Sequence, residues 1–276
     1  MDGSVNLLLL SFRSEAEESA VYIAIRFSLG AVQKMTFQPD DLQSQILRDF
    51  TVIDCLCPDW GGAVVLSLGL DARASALPFA SSIAGAVSLV IDNEHAHVQQ
   101  AIRAGACDFV VDTLDEALRA MKNEVRKHTP VSVCLDADPV HSLDEILERG
   151  LVPQLFTSFL SKSVNITKAI DCFRAFGATL VDFRGASPSP SGFQSSRFLL
   201  DATLQETDWR LHSVAFDSHE SLRTFDARAL TLLQPEDTLR HRWLENAPRT
   251  LHRLHRQCPW QRSLWLTRSE QIEIDR

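Results

Sequence analysis

Long hydrophobic runs are missing from this 276-residue chain, and no apolar stretch reaches the roughly 18 residues that a membrane-spanning helix needs. A surplus of positive charge is missing too. The formal net charge is −9, whereas a surface built for general nucleic-acid binding would be basic. Paired CxxC knuckles are absent, and the six cysteines (Cys55, Cys57, Cys107, Cys134, Cys172, Cys258) are scattered, which suits buried thiols better than zinc or disulfides. There is no GxSxG elbow for a hydrolase nucleophile and no internal repeat. The opening "MDGSVNLLLLSFRSE" has four leucines, but no basic flank precedes them and no small-residue cleavage site follows. It reads as a first strand and not as a signal peptide, which predicts a cytoplasmic protein with no membrane partner. In that compartment the sequon "NIT" at 165–167 carries no meaning.

What remains is ordinary globular composition, 45% hydrophobic and 23% charged, in a length that holds one large or two small domains. Apolar runs that read as buried parallel strands fall at Ala63–Leu68, Val87–Ile91, Phe109–Val111, Val131–Leu135 and Leu155–Thr157. Helical patterns lie between them, at Ser75–Ile83, Ala96–Ala104, Leu114–Lys127 and Ser142–Arg149, with Thr113 as an N-cap and Glu116 as its capping-box partner. Strand and helix in regular alternation predict an α/β fold, a Rossmann-like doubly wound and mostly parallel sheet. "RGASPSPSGFQSS" (184–196) reads as a linker or long surface loop. Residues 61–183 are therefore expected to form the Rossmann-like domain, and residues 1–60 with 184–276 a smaller α/β part. That part includes a strand "AVYIAIRF", a helix around Leu42–Phe50 and a late strand "RSLWLT".

The chemistry-bearing stretch is "LSLGLDARASALPFA" (66–80), where a strand runs into a helix start. A strand, a turn and a helix N-terminus, with an acid at the end of the next strand, form the dinucleotide-binding arrangement, and Asp92 supplies that acid. Glycines are needed in such a turn because they permit positive φ and let the backbone approach a pyrophosphate held by free N–H groups. Only Gly69 is kept. Asp71 adds a carboxylate where the diphosphate would lie, Ala72 and Ala74 add methyl groups, and Arg73 could offset charge without restoring space.

The run from Gly61 to Ser158, "GGAVVLSLGLDARASALPFASS…LVPQLFTS", resembles the NAD-binding domain of urocanase (urocanate hydratase), nearly without gaps. Weaker likeness extends to "SAVYIAIRFSLGAVQKMTF", "AIDCFRAFGATLVDF" and "RWLENAPRTLHRLHRQCPWQRSLWLTRSE". The family uses oxidised nicotinamide as an electrophile toward the imidazole of urocanate while water adds. The resemblance thus implies an NAD site at Gly69, Ala72, Arg73, Ala74, Asp92 and His97. It equally implies that the family's working residues are gone. The glycine run is degraded, an Asn-Ala pair reads Asp138-Pro139, and a Gln-Thr-Ser-Ala-His segment reads Phe159-Leu160-Ser161-Lys162-Ser163. Leu264 stands where the family has its active-site cysteine. The matching region stops before the family's aspartate and His-His-Gly-rich segment, so no catalytic residue is assigned. The expectation is a non-catalytic scaffold or binding protein with no cofactor held. The alternative is a divergent NAD-dependent lyase or an enzyme completed by another chain. The family's assembly implies a homodimer, or else a protein partner.

Other constellations read as structural. His252, His255 and Cys258, three apart, could share a metal on a helix, but Pro259 ends any helix there and no metal site is assigned. His95 and His97 sit at a helix start as neutral imidazoles on a solvated turn. Cys55 and Cys57 lie in an apolar strand-like run and read as core packing. The basic stretch Arg240–Arg262, with Trp243 and Trp260, could meet nucleic acid or an acidic partner, but reads as a solvated helix face that balances neighbouring carboxylates.

Overall fold

Strands form where β-branched residues and leucines run together, and these are the segments that become buried on both faces. In the computed structural model, which describes residues 42–161, 164–185, 189–254 and 259–275, seven strands build one sheet, those at its two edges less buried than the rest. They are β1 (Val64–Leu68), β2 (Val87–Asp92), β3 (Phe109–Val111), β4 (Ser132–Asp136), β5 (Leu155–Ser158), β6 (Thr179–Asp182) and β7 (Gln194–Ser195). Their order is β3-β4-β2-β1-β5-β6-β7, with every pairing parallel. The expected α/β Rossmann-like sheet is thus present, and the direction in which the chain winds across it reverses at β1, between β2 and β5.

Helices alternate with the strands: α1 (Leu42–Leu56), α2 (Ala76–Ala84), α3 (His95–Ala104), α4 (Leu114–Lys127), α5 (Pro139–Glu148) and α6 (Thr167–Ala175). They are followed by α7 (Ser196–Thr207), α8 (His219–Leu232), α9 (Thr238–Thr250) and α10 (Arg268–Ile274). Alternating strand residues feed two cores. Val65, Val90, Leu155 and Val181 pack with Phe50 of α1, Phe79 of α2 and Trp243 of α9. Leu66, Leu89, Val133 and Phe156 pack on the other face with Met121, Ile146 and Phe173 of α4, α5 and α6. A second sheet consists of two antiparallel strands, β8 (Arg210–Phe216) and β9 (Trp260–Leu266). Gln43 and Thr51 of α1 bond it through Ser263 N–H (2.7 Å) and Trp265 Nε1 (2.8 Å).

Several local expectations are adjusted. Helix α5 begins three residues earlier than Ser142, because Pro139 is preset for the first helical position and Asp138 Oδ1 accepts the His141 N–H (2.8 Å). Thr113 caps α4 as expected, but Glu116 returns to the Thr113 hydroxyl (3.0 Å) and not to its backbone. A full capping box stands instead at Thr267 and Glu270. Cys55 lies in a helix, not a strand, and is exposed, because Ile46, Leu47, Phe50 and Ile53 define the buried face of α1 and Cys55 falls off it. The basic stretch is a solvated face only in part, with Arg249 exposed. Arg240 and Arg262 are buried, Arg262 making a bidentate pair with Asp226 (2.7 and 2.7 Å) and Arg240 binding Glu270 (2.7 and 3.0 Å). Burying a guanidinium charge requires a carboxylate partner of this kind. The strands expected in residues 1–41 lie outside the described residues. No helix among the described residues is long and apolar enough to cross a membrane.

Candidate functional site

In an open parallel sheet, ligands enter beyond the carboxyl ends of the strands where the order reverses, here between β1 and β5. Gly69 follows β1 with φ of +85°, the conformation the turn demands, so the one retained glycine is the one the backbone cannot replace cheaply. Its N–H is already used by the Ile91 carbonyl (2.8 Å). A Cβ built on Gly69 would meet Phe159 Cβ at 3.3 Å. Phe159, just past β5 and buried, therefore packs directly against Gly69 at the reversal point.

The rest of the turn closes on its own side chains. Asp71 Oδ1 accepts the Ala74 N–H (2.8 Å) and the Asp71 carbonyl accepts that of Ser75 (3.0 Å), so a carboxylate of the chain sits in the turn just before α2. Such a position favours an anion, and the chain supplies it internally. Ala72 is exposed and its carbonyl accepts the Ser75 hydroxyl (2.8 Å), while Ala74 is buried. Arg73 turns away from the loop to Asp49 of α1, Nη1 to Oδ2 and Nη2 to Oδ1, both at 2.8 Å. Its guanidinium also lies 5.9 Å from the Phe159 ring centroid. Burial pushes the Asp49 carboxyl above its ordinary value, and the Arg73 charge offsets this only in part.

Asp92 is almost fully buried at the end of β2 and is satisfied from three sides. Its oxygens accept the Leu70 N–H (2.6 Å) and the Glu94 N–H (2.8 Å), and His97 Nδ1 lies 3.0 Å from Oδ2. His95 Nδ1 lies 3.7 Å from Asp136, so both histidines face carboxylates. Asp138, standing where the family has a donor amide, caps α5. Leu264 is fully buried within β9.

Six residues singled out from sequence are thus gathered around one turn, but their polar groups are engaged by other groups of the chain. Sequence reasoning misses Asp49. The signal is there: a carboxylate among Ile46, Leu47, Phe50 and Ile53 on one helix face requires a cationic partner. Of the histidine and cysteine trio, His252 is hydrogen-bonded to the Arg249 carbonyl oxygen, and His255 and Cys258 lie outside the described residues. Among the described residues no cluster of three His, Cys, Asp or Glu side chains is arranged to hold a metal.

Fold and turn together define a Rossmann-like α/β domain with an acid-terminated second strand. Residues 54–166 match the family model for the urocanase Rossmann-like domain, consistent with a urocanase-family NAD-binding domain. Among solved structures, the O-methyltransferase TomG from Streptomyces achromogenes, in complex with SAM, is 13% identical, with a TM-score of 0.32. The match covers 77% of this chain and 87% of that one, and at that score it carries no inference about chemistry. The residues around Gly69 do not fit a pyrophosphate in this arrangement. Asp71 holds the Ala74 N–H in the turn before α2, Asp92 is engaged with the Leu70 N–H, and Phe159 packs directly against Gly69.

Proposed function

We propose that this chain is a urocanase-like protein without NAD-dependent catalysis, whose Rossmann-like sheet serves as a scaffold for assembly or for a ligand other than a dinucleotide. The observation that supports it is the Asp71 carboxylate on the Ala74 N–H in the turn just before α2, with Arg73 withdrawn to Asp49. A pyrophosphate entering there would meet like charge and find that backbone donor already taken. The companion reading, a homodimer or a complex with another protein, rests on the family's assembly. A monodisperse monomer in light scattering at micromolar concentration would count against the dimer.

An enzymatic reading, a divergent NAD-dependent lyase or an enzyme completed by another chain, draws on two retained features: Gly69 at positive φ and Asp92 at the end of β2. Calorimetric titration with NAD separates the readings, supported by mass spectrometry of any small molecule that co-purifies. The scaffold reading expects no heat and no dinucleotide from a folded protein. Saturable binding, or co-purified dinucleotide, overturns it and means that Asp71 and Phe159 can swing away.

A further inference from the structure

At the opposite ends of the strands, by the amino termini of β3 and β4, lies a cleft of about 190 Å³. It is lined by Ser82, Asp108, Ser132, Arg249, His252 and Arg253 over Phe79 and Pro130. Most ligand pockets run to roughly 300–1,000 Å³, so this one suits a small molecule and is too small for a dinucleotide.

Its charges are unevenly committed. Asp108 is fully engaged: Oδ1 takes Arg253 Nη1 (2.8 Å) and Oδ2 takes the Ser132 N–H (3.0 Å). That wall is held in place, since a Cβ on Gly105 would fall 2.5 Å from Arg253 Cβ. Arg249 is different. It is exposed in the last turn of α9 and forms no ion pair among the described residues, although the cleft it lines carries hydroxyls and a second guanidinium. The Ser82 and Ser132 hydroxyls, 3.0 Å apart, add polar groups to the lining. The carbonyl end of α9 opposes an anion here and Arg253 is committed to Asp108, so the one guanidinium of the cleft left uncommitted among the described residues leaves room for weak attraction only.

We propose that this cleft binds a small oxyanion, the phosphate or carboxylate head of a compact metabolite, with Arg249 as its principal contact. The site is independent of the turn at Gly69, which lies beyond the other ends of the strands, so it stands or falls separately from the scaffold reading.

The test is amide NMR of the full chain titrated with inorganic phosphate, and separately with acetate, at constant ionic strength. The expected result is saturable shifts of the Gly105, Asp108, Ser132 and Thr250 amides with at least one of the two anions. The anion that saturates tells phosphate from carboxylate. Arg249→Gln should weaken binding at least tenfold, and Arg249→Lys should recover part of it. With no ion pair to Arg249 among the described residues, both variants are expected to keep the parent's circular dichroism. Absence of saturable shifts with either anion overturns the proposal. So does unchanged affinity in Arg249→Gln, or saturable shifts confined to Leu70 and Ala74 at the other ends of the strands.

Discussion

Arg73 and Asp49 meet through two parallel 2.8 Å hydrogen bonds, and the aspartate side chain is only 2% exposed while the arginine is 28% exposed. The pair ties the turn after β1 to α1, a helix that comes before the sheet begins. It therefore fixes the turn from outside the parallel sheet, and the two partners differ in how well water can replace the lost contact.

That asymmetry gives the first prediction. Arg73→Leu leaves a buried carboxylate with Gln45 as its remaining side-chain donor and should cost roughly 3 kcal/mol. Asp49→Asn frees a guanidinium that can reach solvent and should cost no more than about half of that. Urea unfolding midpoints of the two variants check the order. Equal losses would mean that the pair acts through packing and not through desolvated charge.

The second concerns pH. Burial holds Asp49 above its ordinary 3.8, so the folded chain binds more protons than the unfolded chain over that interval. Its contribution to stability therefore falls as pH rises through it. Glu270 is opposite. Burial pushes it up, but hydrogen bonds from Arg240 and Thr267 outweigh this and hold it below 4.5. Its contribution is present above that value and is lost as pH falls through the folded-state value. Between about pH 3 and pH 7, the stability difference between parent and Asp49→Asn should shrink with rising pH, and that between parent and Glu270→Gln should grow. Unfolding midpoints across the range test this, and slopes of the same sign would refute it.

A third prediction compares two glycines at positive φ. A Cβ added at Gly85 (+96°) would have nothing within 4 Å, whereas one at Gly105 (+77°) would meet Arg253 at 2.5 Å. Gly85→Ala should cost the backbone strain alone, about 1 kcal/mol, and Gly105→Ala distinctly more because Arg253 must move off Asp108. Thermal melts of both variants measure the difference. In Gly105→Ala the Asp108 amide should shift as well, which a purely local strain would not require.

Most of the central sheet is legible in the sequence. β3 and α4 fall at the residues expected, and β1, β2, β4 and β5 differ by a residue or so at their ends, because buried parallel strands and amphipathic helices carry strong local periodicity. The turn is legible in part. Gly69, Asp71, Ala72, Arg73, Ala74, Asp92 and His97 stand out as a group, and the clash between Asp71 and a diphosphate follows from charge alone. The destination of Arg73 is not legible, since Asp49 lies 24 positions earlier and nothing local links them.

Longer-range pairing explains the remaining differences. Arg240 and Arg262 look like surface charges in a basic stretch. They are buried because Glu270 and Asp226, 30 and 36 residues away, arrive on neighbouring helices. Cys55, expected in a core, sits on a side of α1 that faces away from it. By itself, the sequence determined which segments of the central sheet are strands and helices, that the sheet is parallel, and that the turn after β1 holds a single glycine, because backbone propensity and hydrophobic period act over a few residues. Tertiary structure alone decided that Phe159 packs against Gly69, that Asp49 draws Arg73 out of the turn, and that Arg249 lines a cleft at the other ends of the strands. Each of those depends on charges and side chains brought together across loops, and the cost of leaving a buried charge unpaired selects the partner.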